Sequence, residues 1–257
     1  MDVPFFHYAL IALAAFGAGA MISVAGGGSF LSFPALLAVG VPPVTANASN
    51  SVALWPGSLA GTWAFRAELL RFKSALPRLT LVAFVGGIAG GLLLLATSNA
   101  AFSRLIPWLL LLATVLFAFS PQLSRFLARR RATAGSAHQV GPGGLLFQFV
   151  VSIYGAFFGA GMGILMLAAL AIQGFEDMNE INALKNWLSA VIYSVAVATF
   201  VIAGAISWPH TLVMLLTGTF GGYWGARLAR RIPAQWLRRF IVAVGGFLTL
   251  YYFYKTP

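Results

Sequence analysis

Cysteine is absent from this chain of 257 residues, acidic residues number five and histidines three. The first absence excludes disulfides and thiolate metal sites, and it leaves the redox compartment open. The histidines, at positions 7, 138 and 210, lie too far apart in sequence to form a metal motif. Charged residues make up only 8% of the chain against 60% hydrophobic ones, too little polar surface for an ordinary soluble domain. The net charge of +11 does not indicate nucleic acid, because most Lys and Arg sit in short links between apolar segments rather than on a solvated basic face. No Walker A motif is present to bind ATP, and nothing in the sequence asks for a cofactor.

What the chain does have is apolar length. Stretches long enough to cross a bilayer lie at 4–25, 44–65, 79–97, 105–120, 144–161, 181–204, 210–226 and 237–254, each near the roughly 20 helical residues a hydrocarbon core requires. The opening "MDVPFFHYAL" carries Asp2 where a secretory signal carries Lys or Arg, so the first apolar run reads as a retained helix. These features predict an all-α polytopic protein of 8–10 transmembrane or re-entrant helices in the inner (plasma) membrane.

The chain aligns with itself, ungapped, at a displacement of 135 residues. Gly26 and Gly28 fall on Gly161 and Gly163, and Asn47-Ala48 on Asn182-Ala183. Further on, Gly86, Gly87 and Gly90 fall on Gly221, Gly222 and Gly225, and Arg104 and Ile106 on Arg239 and Ile241. One register held over roughly eighty residues indicates duplication. The halves are expected at 1–121 and 144–257, joined by a basic, Gly-containing cytoplasmic linker at 122–143.

Charge sets the relative direction of the halves. Link 66–78 carries Arg66, Arg71, Lys73 and Arg78, while its equivalent at 201–213 has neither Lys nor Arg. The next pair reverses this: 92–104 holds Arg104 alone, and 227–239 holds five arginines. Equivalent loops therefore favour opposite sides of the membrane, the pattern of an inverted-topology repeat with both termini outside. The segments 29–40 and 164–174 are too short to span comfortably, and each follows a Gly break. Either they are short crossing helices or they are arms of re-entrant hairpins, and both keep the parity.

Each half also carries a polar stripe. Asn182, Lys185, Asn186 and Ser189 fall at i, i+3, i+4 and i+7, on one helical face. Asn47, Asn50 and Ser51 align with Asn182, Lys185 and Asn186, and Ser58 with Tyr193. On inverted copies the stripes meet near the bilayer midplane, where transporters of this design bind substrate. One buried cation, amide and hydroxyl donors, and helix N-termini after Gly26-Gly27-Gly28 and Gly161-Met162-Gly163 suit a small anion. The competing reading has Lys185 snorkelling to the interface or pairing with Glu180, Asp177 or Glu176, with Asn and Ser only joining helices. The Gly clusters at 86–91 and 221–225 read as close-packing faces, Trp55-Pro56 as a kink, and Trp63, Trp108, Trp208, Trp224 and Trp236 as interfacial anchors.

These residues resemble the sulfite exporter TauE/SafE family of membrane permeases. The resemblance covers nearly the whole chain and rests on "GAGMISVAGGGSFLSFPALLAVGVPPVTANASNSVAL" with "LAGTWAFR", and on "YGAFFGAGMGILMLAALAIQGFEDMNEINALKNWL" with "GTFGGYWGARLARRIPAQWLRRFI". It implies a bundle of about eight or more helices that moves small sulfur-containing anions such as sulfite, thiosulfate, organosulfonates or sulfoacetate. One departure is Ala169, which stands where the first half has Pro34.

The expected substrate contacts are Asn47, Asn50, Ser51, Asn182, Lys185, Asn186, Gly26, Gly27, Gly28, Gly161 and Gly163. Glu180, Asp177 and His210 are the candidates for coupling to protons or another ion. A passive anion channel is the alternative, separable by whether flux saturates. A membrane-embedded enzyme fits less well, because no nucleophile motif accompanies Ser29 or Ser58. The oligomeric state, a homodimer included, is not written in the sequence.

Overall fold

The computed structural model describes residues 5–24, 27–69, 72, 75–131, 141–173, 175, 178–228 and 234–255. Among these, eleven helices account for the regular structure and no strand occurs. The first half contains α1 (Phe5–Val24), α2 (Ser29–Ala38), α3 (Pro43–Ala64), the four-residue α4 (Arg66–Leu69), α5 (Leu76–Ala96) and α6 (Asn99–Arg131). The second contains α7 (Pro142–Phe157), α8 (Met162–Ile172), α9 (Met178–Ile202), α10 (Trp208–Leu228) and α11 (Ala234–Lys255).

Local chemistry sets several of the boundaries. Prolines stand at the first helical position of α3 and α7 and at the second of α5, where the missing N–H costs nothing. The N-terminus of α3 is further held by Asn99, whose Oδ1 accepts from Val44 N at 3.0 Å. Both Gly breaks are realised as left-handed backbone: Gly27 has φ +85° before α2, and Gly161 has φ +77° as the cap of α8. The helices that follow, with 10 and 11 residues, are about 15 Å long, half of a hydrocarbon core of about 30 Å.

By length and composition, four helices among the described residues qualify as membrane spans: Phe5–Ile22, Leu76–Ala96, Asn99–Gln122 and Glu180–Ile202. Large apolar side chains are exposed on the outer faces, among them Leu81, Trp108, Leu212, Leu216, Phe220, Phe247 and Leu250, as a lipid-facing surface requires. Helix α6 runs to Arg131, past the 121/122 boundary expected from sequence. The rest of the linker, 132–140, lies outside the described residues.

The packing is symmetric when the halves are exchanged. α1 lies against α10 as α7 lies against α5, and α3 contacts α10 as α9 contacts α5. α2 touches α11 as α8 touches α6, while α3 meets α9 and α6 meets α11. The Gly-rich faces make the closest of these approaches. A Cβ on Gly221 of α10 would strike the Phe16 carbonyl of α1, and one on Gly90 of α5 would strike the Ile153 carbonyl of α7, so these helices pack backbone to backbone. Between α2, α6 and α7 the interior is sealed by edge-on aromatic pairs: Phe33 with Phe158 at 5.7 Å and Phe102 with Phe157 at 5.5 Å between centroids.

Candidate functional site

The two Gly breaks and the second polar stripe converge on one interior cavity of about 180 Å³. Its floor is backbone, from Gly27, Gly28 and Gly159–Gly163. Its polar side chains are Lys185, Asn186, Ser189 and Tyr193 from α9, Ser58 from α3 and Ser29 from α2. Ile22, Leu54, Phe117, Ile164 and Leu167 close the rest with apolar surface. The volume, below the roughly 300–1,000 Å³ of sites for drug-sized ligands, has room only for a small solute.

Glycine is required at both breaks. A Cβ on Gly27 would fall 2.6 Å from the Phe117 ring. At the second break the requirement comes from the positive φ of Gly161, whereas a Cβ on Gly163 would make only an ordinary 3.8 Å contact with Lys185 Cδ. Since α2 and α8 begin here without side-chain caps, the first-turn amides of Ser29 and Gly163 have no acceptor in their own helices, and no backbone bond among the described residues at the breaks uses them.

Lys185 is the charged residue of the lining. Its ammonium donates to Asn182 Oδ1 at 3.1 Å, one turn back on α9, and makes no ion pair among the described residues. Two of its three protons are therefore unspent. Asn186 packs against Gly61 of α3, and Ser189 Oγ has only a weak contact with Met166 Sδ at 3.8 Å. Ser58 donates to the Trp55 carbonyl at 2.7 Å.

The first stripe is arranged differently. Asn47 is buried and donates through Nδ2 to the Phe157 carbonyl at 2.8 Å, tying α3 to the end of α7. Asn50 donates to Ser29 Oγ at 3.2 Å and accepts from Ser32 Oγ at 2.5 Å, tying α3 to α2. Ser51 donates to the Asn47 carbonyl within its own helix. None of these three lines the cavity, nor does Asn182, which reaches it through Lys185. Of the expected contacts, Gly27, Gly28, Gly161, Gly163, Lys185 and Asn186 come together. Gly26 and Asp177 lie outside the described residues.

The other coupling candidates sit elsewhere. Glu180 is in the first turn of α9, and His210, near the start of α10, shares a 2.6 Å hydrogen bond with Ser207 Oγ and stacks on Tyr8 at 5.7 Å. Ser29, Ile22 and Phe117 are lining residues that sequence reasoning missed. Only Ser29 carried a usable signal, a hydroxyl immediately after a triple-glycine break. Trp55, expected only at a kink, also donates to Ser194 Oγ at 2.8 Å, joining α3 to α9. A second, open groove of about 510 Å³ on α5, lined by Leu76, Pro77, Thr80, Leu81 and Phe84, has no ionisable group.

A lipid-facing exterior, paired helices that pack backbone to backbone and a small interior cavity with one cation define a polytopic helical membrane protein with a solute-sized site. The sequence comparisons narrow this class. The chain belongs to the sulfite exporter TauE/SafE family, whose model matches residues 11–252. It is 26% identical over 254 residues to a probable membrane transporter protein of Haemophilus influenzae, covering 97% of this chain and 95% of that one. It is 27% identical to the probable membrane transporter protein YfcA of Escherichia coli K12, covering 90% and 84% of the two chains. It is also 27% identical to the probable membrane transporter protein ORF9 of a Sinorhizobium species, covering 95% and 91%. No solved structure matches the chain. The protein is a multi-pass membrane transporter.

Proposed function

We propose that this transporter is a secondary carrier of a small sulfur-containing anion, bound at the cavity between the Gly breaks and moved by alternating access. The observation that carries the reading is Lys185, a cation at an interior cavity with no carboxylate beside it among the described residues. An uncompensated Lys at the centre of a membrane helix costs about 2.5–3.5 kcal/mol on insertion scales. The Asn182 hydrogen bond offsets part of that cost, and a bound anion would offset the rest. Asn186, Ser189, Tyr193 and Ser29 add side-chain donors, and the first-turn amides of α2 and α8 add backbone ones. Asn47, Asn50 and Ser51 serve as braces that hold the first break in place.

The family's description as sulfite exporters favours sulfite or a chemical relative, such as thiosulfate, an organosulfonate or sulfoacetate, and favours outward movement. The symmetric packing, together with the opposite charge of equivalent loops, supports two inverted halves rocking about the cavity. Coupling would fall to Glu180, Asp177 or His210. The test is flux in proteoliposomes. A carrier gives saturable uptake of labelled sulfite that accelerates when the lumen is preloaded with unlabelled sulfite. Flux linear in concentration and indifferent to preloading would mean a channel.

A further inference from the structure

The internal alignment leaves one amide oxygen without its counterpart's partner. Position 47 aligns with 182 and position 50 with 185. In the second half Asn182 Oδ1 accepts from the Lys185 ammonium at 3.1 Å. The first half has Asn50 in place of that cation, and Asn47 Oδ1, on a residue with no exposed surface, has no hydrogen-bond partner among the described residues. The orientation of this amide is fixed. It meets the Phe157 carbonyl at 2.8 Å, and a carbonyl only accepts, so that contact is made by Nδ2 and the unpartnered atom is the oxygen. A fully buried acceptor of this kind calls for a ligand.

Asn47 sits at the carbonyl end of a broken helix. The last four carbonyls of α7 lie beyond its own helical bonding. Tyr154 O accepts from Phe158 N and Gly159 N, and Phe157 O from Asn47, whereas Gly155 O and Ala156 O accept nothing among the described residues. The helix dipole adds partial negative charge at the same end. Gly155 O and Tyr193 Oη lie 3.1 and 2.9 Å from where a Cβ on Gly159 would fall, so this glycine leaves space beside both oxygens. Gly159 and Tyr193 also line the interior cavity.

We propose that the carbonyl end of α7 is a Na+ site, with Asn47 Oδ1 and the Gly155 and Ala156 carbonyls as ligands and the Tyr193 hydroxyl beside them. In the first half Na+ takes the place that the Lys185 ammonium holds in the second. The ligands are neutral oxygens, and no group of His, Cys, Asp or Glu able to hold a metal occurs among the described residues. Divalent and transition metals favour carboxylates, imidazoles or thiolates, while carbonyls at the C-terminal ends of broken helices suit a hard monovalent cation. Na+ here and an anion at Lys185 would border one cavity and attract each other, so each strengthens the other's binding. Only this mutual effect rests on the anion reading, and it gives the carrier a route to ion coupling that needs no titratable group.

The test is the melting temperature of the purified full-length protein at constant ionic strength in sodium or choline gluconate, choline being too large for the space. Na+ should raise it in a saturable way and choline should not. Asn47→Leu should abolish the Na+ increment. A brace without a ligand role would instead lower melting in both salts and leave the increment intact, which overturns the assignment. Where Asn47→Leu fails to fold, Tyr193→Phe carries the test, and it should need about fivefold more Na+ for the same rise; an unchanged requirement overturns the site as drawn. Lys185→Ala should keep the Na+ response while losing that to sulfite, so failure of the anion reading is read separately from failure of the cation site. Equal melting of the wild type in sodium and choline overturns the inference whatever the variants do.

Discussion

At the scale of single residues, the account depends on glycines that no other residue can replace and on one lysine. Gly161 adopts φ +77°, and a Cβ there would have ordinary room, 3.4 Å from Ala113. The cost of Gly161→Ala is therefore backbone strain rather than collision, about 1–2 kcal/mol. Its melting temperature in detergent should fall, while Gly246→Ala, with nothing within 4 Å and no positive φ, should leave it unchanged. Equal melting of the two variants would contradict the left-handed assignment. These breaks were legible in the sequence because a positive φ demands a residue without a side chain. The fate of the asparagines was not. Asn47 and Asn182 align in the sequence, yet Asn47 gives its amide hydrogens to a carbonyl 110 residues away while Asn182 receives a lysine three residues on. Residue type fixes what an amide can bond to, and only the packed helices decide what it meets.

At the scale of elements, the halves hold together through helix pairs at backbone contact. Placing a side chain between such helices costs typically about 1–3 kcal/mol. Gly221→Ala in α10 and Gly90→Ala in α5 should each lower thermal stability by that order, since their partners are the Phe16 and Ile153 carbonyls, which cannot rotate away. Trp55→Phe should cost less, about 0.6 kcal/mol, the usual worth of one side-chain hydrogen bond between membrane helices. A larger loss than for the glycine variants would show that the Trp55–Ser194 bond is a principal link between α3 and α9. Helix positions were well forecast by apolar runs: 44–65 became Pro43–Ala64, and 4–25 became Phe5–Val24. The run 105–120 fell short of Asn99–Arg131 because the last turns of α6 are polar and basic, so hydropathy stops where the helix does not.

At the scale of the molecule, helices of the second half begin near 135 residues after those of the first: Pro43 and Met178, Leu76 and Trp208, Asn99 and Ala234. The proposed inverted arrangement makes a prediction the chain is well suited to test, because it has no cysteine of its own. Single cysteines at Ala67 and Arg239 should be labelled from one side of the membrane, and cysteines at Ser98 and Ala203 from the other. Labelling of Ala67 and Ala203 positions from the same side would make the halves parallel. The central claim, that the cavity holds a small anion at Lys185, is tested most directly by thermal stabilisation of the wild type and of Lys185→Ala with sulfite, thiosulfate, methanesulfonate, sulfate and chloride. A ligand bound only to the folded state stabilises it by RT ln(1 + [L]/Kd), about 2.7 kcal/mol at a hundredfold excess over Kd. The account predicts a dose-dependent rise with one or more sulfur anions that disappears in the alanine variant, while the unliganded variant still melts cooperatively. An equal rise in both proteins would remove Lys185 from the site.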